Sequence, residues 1–346
     1  MAVSNDVEER VRKALRFECP DRPPIWEMIE SAAVYERFAP GVPYPECAAA
    51  TCEALGIDAT YGCYPPAGQR VRGANNVLAG DTVWSTKPVF ADLDALRSFR
   101  PSRLSEREME ERLLQEHEAQ RRLYEPRTMF LPQNGGWGFL PGYDARTFEV
   151  ISLAIIDDIG ALARYWDHRM ELGIVKNQII ARYQLAPVVQ CCEDVAYKTA
   201  LMVSPGVLRD HFFPRFKQVI APLKQAGIKV IWHSDGNILP VLDDAVDCGI
   251  DGIDPLERTA GMDIKAIREK YGRKLILVGN FDSQVLTFGN EEQVRMAVRE
   301  CMRSAGAGGG HFIQSDAGQI MPDVPVANVI AYIDEVRSSD AKGSSR

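Results

Sequence analysis

From Ser204 onward the chain repeats one unit, an amphipathic helix followed by a short apolar run. "SPGVLRDHFFPRFKQVIAPLKQAG" reads as a helix with Ser204 as its cap, Pro205 in its first turn and Gly227 at its end. The run "KVIWH" follows. "NILPVLDDAVDCG" then leads to "IDGIDP", "DIKAIREKYG" to "KLILVGN", and "EEQVRMAVRECMRSAG" to "HFIQSD", before "VPVANVIAYIDEVRS" closes the pattern. Short connections between alternating helices and strands favour parallel pairing. The rhythm is looser before Ser204. Asp6 can cap a helix to about Phe17, strands are expected near Pro24–Glu27, at "IDATYG", "TMFLPQNGG" and "APVVQCCED", and long helices lie between them. About eight such strands in 346 residues predict an α/β fold, a closed (β/α)8 TIM barrel with an N-terminal helical extension and insertions. One domain is expected over residues 1–338, with a flexible tail at 339–346. An open doubly wound sheet is the alternative. It loses ground because no G-x-G-x-x-G follows the first strand and no phosphate-loop motif occurs.

Composition removes several function classes. The net charge is −8 with no long run of Lys or Arg, which argues against a nucleic-acid surface. No segment approaches the ~20 apolar residues of a membrane span. The charged, amphipathic N-terminus lacks the apolar core of a secretory signal, so a cytoplasmic location is expected. The eight cysteines include no C-x-x-C pair, and buried free thiols are their expected state.

In a barrel, chemistry sits at the C-terminal ends of the strands. Those ends carry Glu27, Asp58 or Tyr61, Gln133 with Asn134, Glu193 with Asp194, His233 with Asp235, Asp254, Asn280 with Asp282, and Ser315 with Asp316. His233 and Asp235 stand out, because alternate strand residues share a face. They are read as an acid/base or metal-liganding pair, against a plain hydrogen-bonded strand terminus. Glu193 and Asp194 are candidate acids, against a role as turn caps. Asp254 and Asp282 have turn and cap readings of equal weight. Lys198, on the loop after the fourth strand, is a candidate substrate contact, although lone lysines are ordinarily solvated.

These motifs resemble the uroporphyrinogen decarboxylase superfamily. The resemblance is carried by "SPGVLRDHFFPRFKQVI", "HSDGNI", "GIDGIDPLERTAGMDIKAIREKYG", "LVGNFDSQVL" and "PDVPVANVIAYI", with weaker matches in "RVRKALRFECPDRPPIWEM" and "EALGIDAT". It implies a (β/α)8 barrel. The arginine-rich R-Q-A-G-R motif of true uroporphyrinogen decarboxylases is replaced here by "MIESAAVY", and their late histidine is missing at "DAGQIMP". An acidic mouth repels a tetracarboxylate, so uroporphyrinogen III is rejected as substrate.

The other branch of the superfamily holds corrinoid-dependent methyltransferases. Those acting on thiols use zinc bound by H-x-C and a distant Cys. Here Asp235 takes the place of the first Cys, and the second falls near Gly318, so that thiolate zinc site is not preserved. A metal, if present, is expected at His233, Asp235 and Glu193 or Asp194. The remaining resemblance is to members that demethylate methoxylated aromatics. It implies methyl transfer to the cobalt of a separate corrinoid (cobalamin) protein, with a homodimer plausible. Trp26, Glu27, Tyr61, Trp137, Tyr143, Lys198, Asn280 and Asp282 are the expected substrate contacts, with Tyr64 and Phe139 nearby. His233, held by Asp235, is the expected acid, with Asp194 or Glu193 next. The competing readings are a cofactor-free decarboxylase of a smaller acid and a non-catalytic barrel that carries a corrinoid or tetrapyrrole.

Overall fold

A computed structural model describes residues 3–66, 88–101, 105–133, 135–141 and 144–339, and the backbone alone of 76–79 and 82–85. Among the described residues, eight parallel strands close into a barrel. The first strand, around Ile25 and Trp26, pairs with Ala59–Thr60, which pairs with Met129–Phe130. The fourth strand joins through Gln190 N–H to the Pro132 carbonyl, 3.0 Å, and Gly135 N–H to the Gln190 carbonyl, 3.1 Å. Val188–Cys192, Lys229–His233, Gly252–Asp254, Ile276–Val278 and His311–Phe312 then pair in sequence order. The ring closes where Trp26 N–H donates to the Ile313 carbonyl and Ile313 N–H to the Pro24 carbonyl, both at 3.0 Å.

The strand sequences explain this arrangement. Strands of a parallel barrel are covered on both sides, so they read as apolar runs rather than alternating ones. Val189, Cys191, Val230, Trp232, Ile253 and Leu277 face outward against the helices. Val188, Ile231, Ile276 and Phe312 face inward, with Trp26, Met129 and Leu131. Val7, Val11, Ala14 and Leu15 of the N-terminal helix Asn5–Leu15 belong to the same inner cluster, so the helix seals the lower opening. The upper layer of the barrel is polar. This division places the chemistry at one end.

One expectation is corrected here. Asp58 stands at the start of the second strand, at the lower face. Its carboxylate takes Arg10 at 2.7 Å, Arg22 at 2.5 Å and the Ile25 N–H at 2.8 Å. It is a buried structural anion. The long helix Glu106–Tyr124 buries Leu113, His117 and Tyr124, as its polar faces suggest. A two-stranded hairpin, Asn76–Ala79 with Thr82–Ser85, is inserted between the second and third strands. Among the described residues no helix is long and apolar enough to cross a membrane.

Removing the charge of Asp58 strands two arginines in the lower face. Asp58→Asn is expected to lower unfolding stability by about 3–5 kcal/mol in denaturant titration. A shift below about 1 kcal/mol would show that the two arginines find other partners.

Candidate active site

The site begins with strand register. His233 is paired with Cys192 on the fourth strand and with Asp254 on the sixth, so these three residues stand level at the upper end. His233 Nδ1 lies 3.1 Å from Asp254 Oδ2, which also accepts from the buried Gln190 side-chain amide. A carboxylate oxygen accepts, so the proton of this contact sits on Nδ1. His233 Nε2 therefore points at the mouth. It lies 3.7 Å from Asp194 Oδ1 and 3.9 Å from Asp235 Oδ1. Burial pulls the imidazole pKa down, but Cys192 and Asp254 more than offset it, and His233 titrates well above 6.5. The donor atoms of Cys192, Asp194 and His233 all lie within 4.8 Å of one another.

The rest of "HSDG" builds the loop that frames this group. Ser234 Oγ accepts from Val195 N–H at 3.1 Å. Asp235 N–H donates to Asp194 Oδ1 at 2.9 Å and fixes that carboxylate. Gly236 has φ +80°, and a Cβ there would lie 2.4 Å from the Tyr197 carbonyl oxygen, so only glycine fits. Asp235 itself sits exposed at the rim. Partial loss of hydration lifts its pKa to about 6, helped by Asp194, Glu257 and Asp254 and opposed by His233.

Several expected site residues serve the scaffold instead. Glu193 is buried, and its two oxygens accept the backbone N–H groups of Trp137, Gly138 and Phe139, so it anchors that loop rather than facing the mouth. Trp137 and Phe139 are packed against Phe212 under the helix Ile159–Tyr183, which removes them from substrate contact. Glu27 faces outward, accepting from Ser315 N–H at 2.6 Å and Tyr332 O–H at 3.0 Å. Asn280 is buried and donates to the Met262 carbonyl at 3.1 Å. Asp282 caps the helix Ser283–Phe288. Lys198 is exposed on the turn after the fourth strand. Tyr143 and Asn134 lie outside the described residues.

Two expected aromatics do lie near the upper end. Trp26 is buried inside the barrel, edge-on to Tyr61 and Phe312. Tyr61 donates to the Gly318 carbonyl at 3.0 Å and lines a cavity of about 410 Å³ beside the first three strands. Met28, Tyr44, Cys63, His117 and Gln133 share that lining, whereas Cys192, Asp194 and His233 do not. Sequence reasoning left Gln190 unremarked, read Cys192 as a buried free thiol, and placed Asp254 at a strand end without naming its partner. The available signal was register: Cys192, His233 and Asp254 each end an apolar run.

Burial pushes the Glu27 pKa up to about 8, against the opposing pull of Ser315 and Tyr332. The folded chain then keeps this proton up to about pH 8, while the unfolded chain releases it near 4.5. The stability contributed by the protonated form is complete below pH 4.5 and is lost as pH rises towards 8. Thermal unfolding of wild type is expected to show this decline, and Glu27→Gln to show a shallower one. Identical slopes in the two proteins would contradict the assignment.

Comparison with known proteins agrees with this architecture. Residues 174–339 match the family uroporphyrinogen decarboxylase (URO-D). Uroporphyrinogen decarboxylases from Pseudomonas syringae pv. syringae (strain B728a) and Paraburkholderia phytofirmans are 32% identical over 123 and 140 residues. Those alignments cover 33% and 38% of this chain and 33% and 37% of theirs, so the chain is matched over about a third of these curated relatives. A methyltransferase from Methanosarcina mazei superposes with a TM-score of 0.67 over 96% of this chain and 98% of that one, at 19% identity. That last likeness is one of fold. The chain is thus similar to uroporphyrinogen decarboxylases over residues 174–339, a little under half of its length, and shares its barrel fold with the methyltransferase over nearly all of it.

Proposed function

We propose that this protein is a methyltransferase that takes a methyl group from a small donor, a methoxylated aromatic, and passes it to the cobalt of a corrinoid protein. The observation that carries the reading is His233, seated by Asp254 at an upper barrel end whose other strand-end groups are a thiol and carboxylates. Asp194, Asp235 and Asp254 make this end of the barrel acidic among the described residues. A polycarboxylate is repelled by such a lining, whereas a neutral ether is not. The likeness of fold to a methyltransferase supports the same reading.

The bound corrinoid supplies a strong cobalt nucleophile. The chain's own residues supply the electrophile on the leaving side. As the methyl carbon leaves the ether oxygen, the bonding pair stays on that oxygen and must be neutralised. In the metal-free chain His233 Nε2 holds the proton that does this, and the product is the free phenol. Asp254 keeps the ring oriented and compensates its charge through Nδ1. Asp194, fixed by the Asp235 amide, lies on the same side of the ring. General acid assistance of this kind contributes about 10²- to 10⁴-fold.

The names of the matched relatives favour one second reading, decarboxylation of a smaller acid without cobalt. The two separate in one assay. Under anaerobic conditions, the protein with cob(I)alamin and methoxybenzenes is expected to form methylcobalamin, at a rate cut at least about 100-fold in His233→Ala. Methyl transfer at an undiminished rate in that variant, or CO2 release without cobalt, would overturn the reading.

A further inference from the structure

We propose that Cys192 Sγ, Asp194 Oδ1 and His233 Nε2 form a zinc site with its fourth position open to the barrel mouth. This ligand set differs from an H-x-C pair on the fifth strand. Its thiolate comes from the fourth strand and reaches the histidine through register alone. The inference goes beyond the methyltransferase reading, because it stands on donor geometry whatever substrate is turned over.

Three observations support it. The first is convergence. The three donor atoms lie within 4.8 Å of one another, with Nε2 and Oδ1 at 3.7 Å. Tetrahedral zinc, with bonds of about 2.0 Å to nitrogen or oxygen and about 2.3 Å to sulfur, puts its ligands about 3.3–3.8 Å apart. Small side-chain movements close the set. The second is preorganisation. Asp254 holds Nδ1 at 3.1 Å and is itself held by Gln190, so Nε2 is the nitrogen presented to a metal. A carboxylate behind a liganding histidine is the usual support of such a site. The Asp235 amide likewise fixes Asp194. The third is donor chemistry. One sulfur, one nitrogen and one oxygen suit a borderline divalent ion; magnesium and calcium prefer oxygen alone. Three protein ligands with one open position are the pattern of a catalytic rather than a structural zinc.

Asp235 Oδ1, 3.9 Å from Nε2, and Glu193, spent on loop amides, stay outside the set. A metal here displaces the Nε2 proton. With a metal bound, His233 would hold the electrophile instead of delivering the proton, and the ion would supply the polarising charge.

The test uses the full chain, stripped of metal with a chelator and titrated with Zn(II) and with Co(II) as a spectroscopic substitute. One equivalent of each is expected to bind, and the Co(II) form is expected to show a thiolate-to-cobalt charge-transfer band. The band is expected to vanish in Cys192→Ser and to persist in Cys191→Ser, whose thiol faces the outer core. Asp254→Asn is expected to weaken zinc binding by about 10- to 100-fold. No stoichiometric binding by wild type, or a band that survives Cys192→Ser, would overturn the proposal. Should Cys192→Ser fail to fold, absence of the band in wild type still decides against it. Zinc bound without any methyl transfer supports this site and sinks the methyltransferase reading. Methyl transfer by a chain that takes up no zinc does the reverse.

Discussion

The arrangement at the barrel mouth depends on one hydrogen bond, from His233 Nδ1 to Asp254 Oδ2 at 3.1 Å. A histidine on a strand end has two nitrogens and several rotamers. Asp254 selects one of each, and Gln190 fixes Asp254 in turn. The selection works because the fourth, fifth and sixth strands are parallel and in register, so Cys192, His233 and Asp254 face the same way at the same height. A slip of one residue would send each of these side chains into the helical layer. The apolar positions that set the register are therefore part of the site. Val188 and Ile231 fill the interior below it, and Val189, Val230 and Trp232 lock the outer face.

The polar groups of the barrel divide into two kinds by what they touch. Asp58, Glu27, Glu193, Asp282 and Asp316 all sit near strand termini, yet each satisfies backbone amides or a cation within the scaffold. Burying such groups is tolerable only with partners of this kind. Cys192, Asp194 and His233 also have scaffold partners, the Asp235 amide and Asp254 among them, but their donor atoms converge on one another at the mouth. That contrast separates the candidate chemistry from the frame more sharply than residue type does.

Much of the fold was legible in the sequence, because helix–strand repeats after Ser204 carry caps, glycine stops and unbroken apolar runs. The first three strands were harder, since the ladder spans only two residues at Ala59–Thr60 and at Met129–Phe130. His233 and Asp194 could be picked out as ionisable groups ending apolar runs. Asp254 was legible as a strand-end group or as half of a turn before Pro255, with nothing to choose between them, and Cys192 chiefly as a thiol of ordinary buried type. Their meaning comes from neighbours about 40 and 20 residues away in the chain, which spacing does not encode. The aromatic segment around Trp137 misled for a physical reason. A glycine-flanked run of Trp and Phe reads as a set of substrate contacts, but Glu193 pins its amides and the helix Ile159–Tyr183 covers its rings. Glu27 misled through strand parity, because Trp26 takes the inward position and sends its neighbour outward.

The measurement that bears most directly on this account is the tautomer and metal response of His233, read by nitrogen-15 correlation spectra of histidine-labelled protein. The chain has five histidines, and His233→Gln identifies the signal. The account predicts a Nδ1 that stays protonated throughout. It predicts a Nε2 facing the mouth whose signal shifts when Zn(II) is added. A Nδ1 without a proton, or a Nε2 signal indifferent to Zn(II), would show that Asp254 does not seat the ring as described and that the cluster at the mouth is not a metal site.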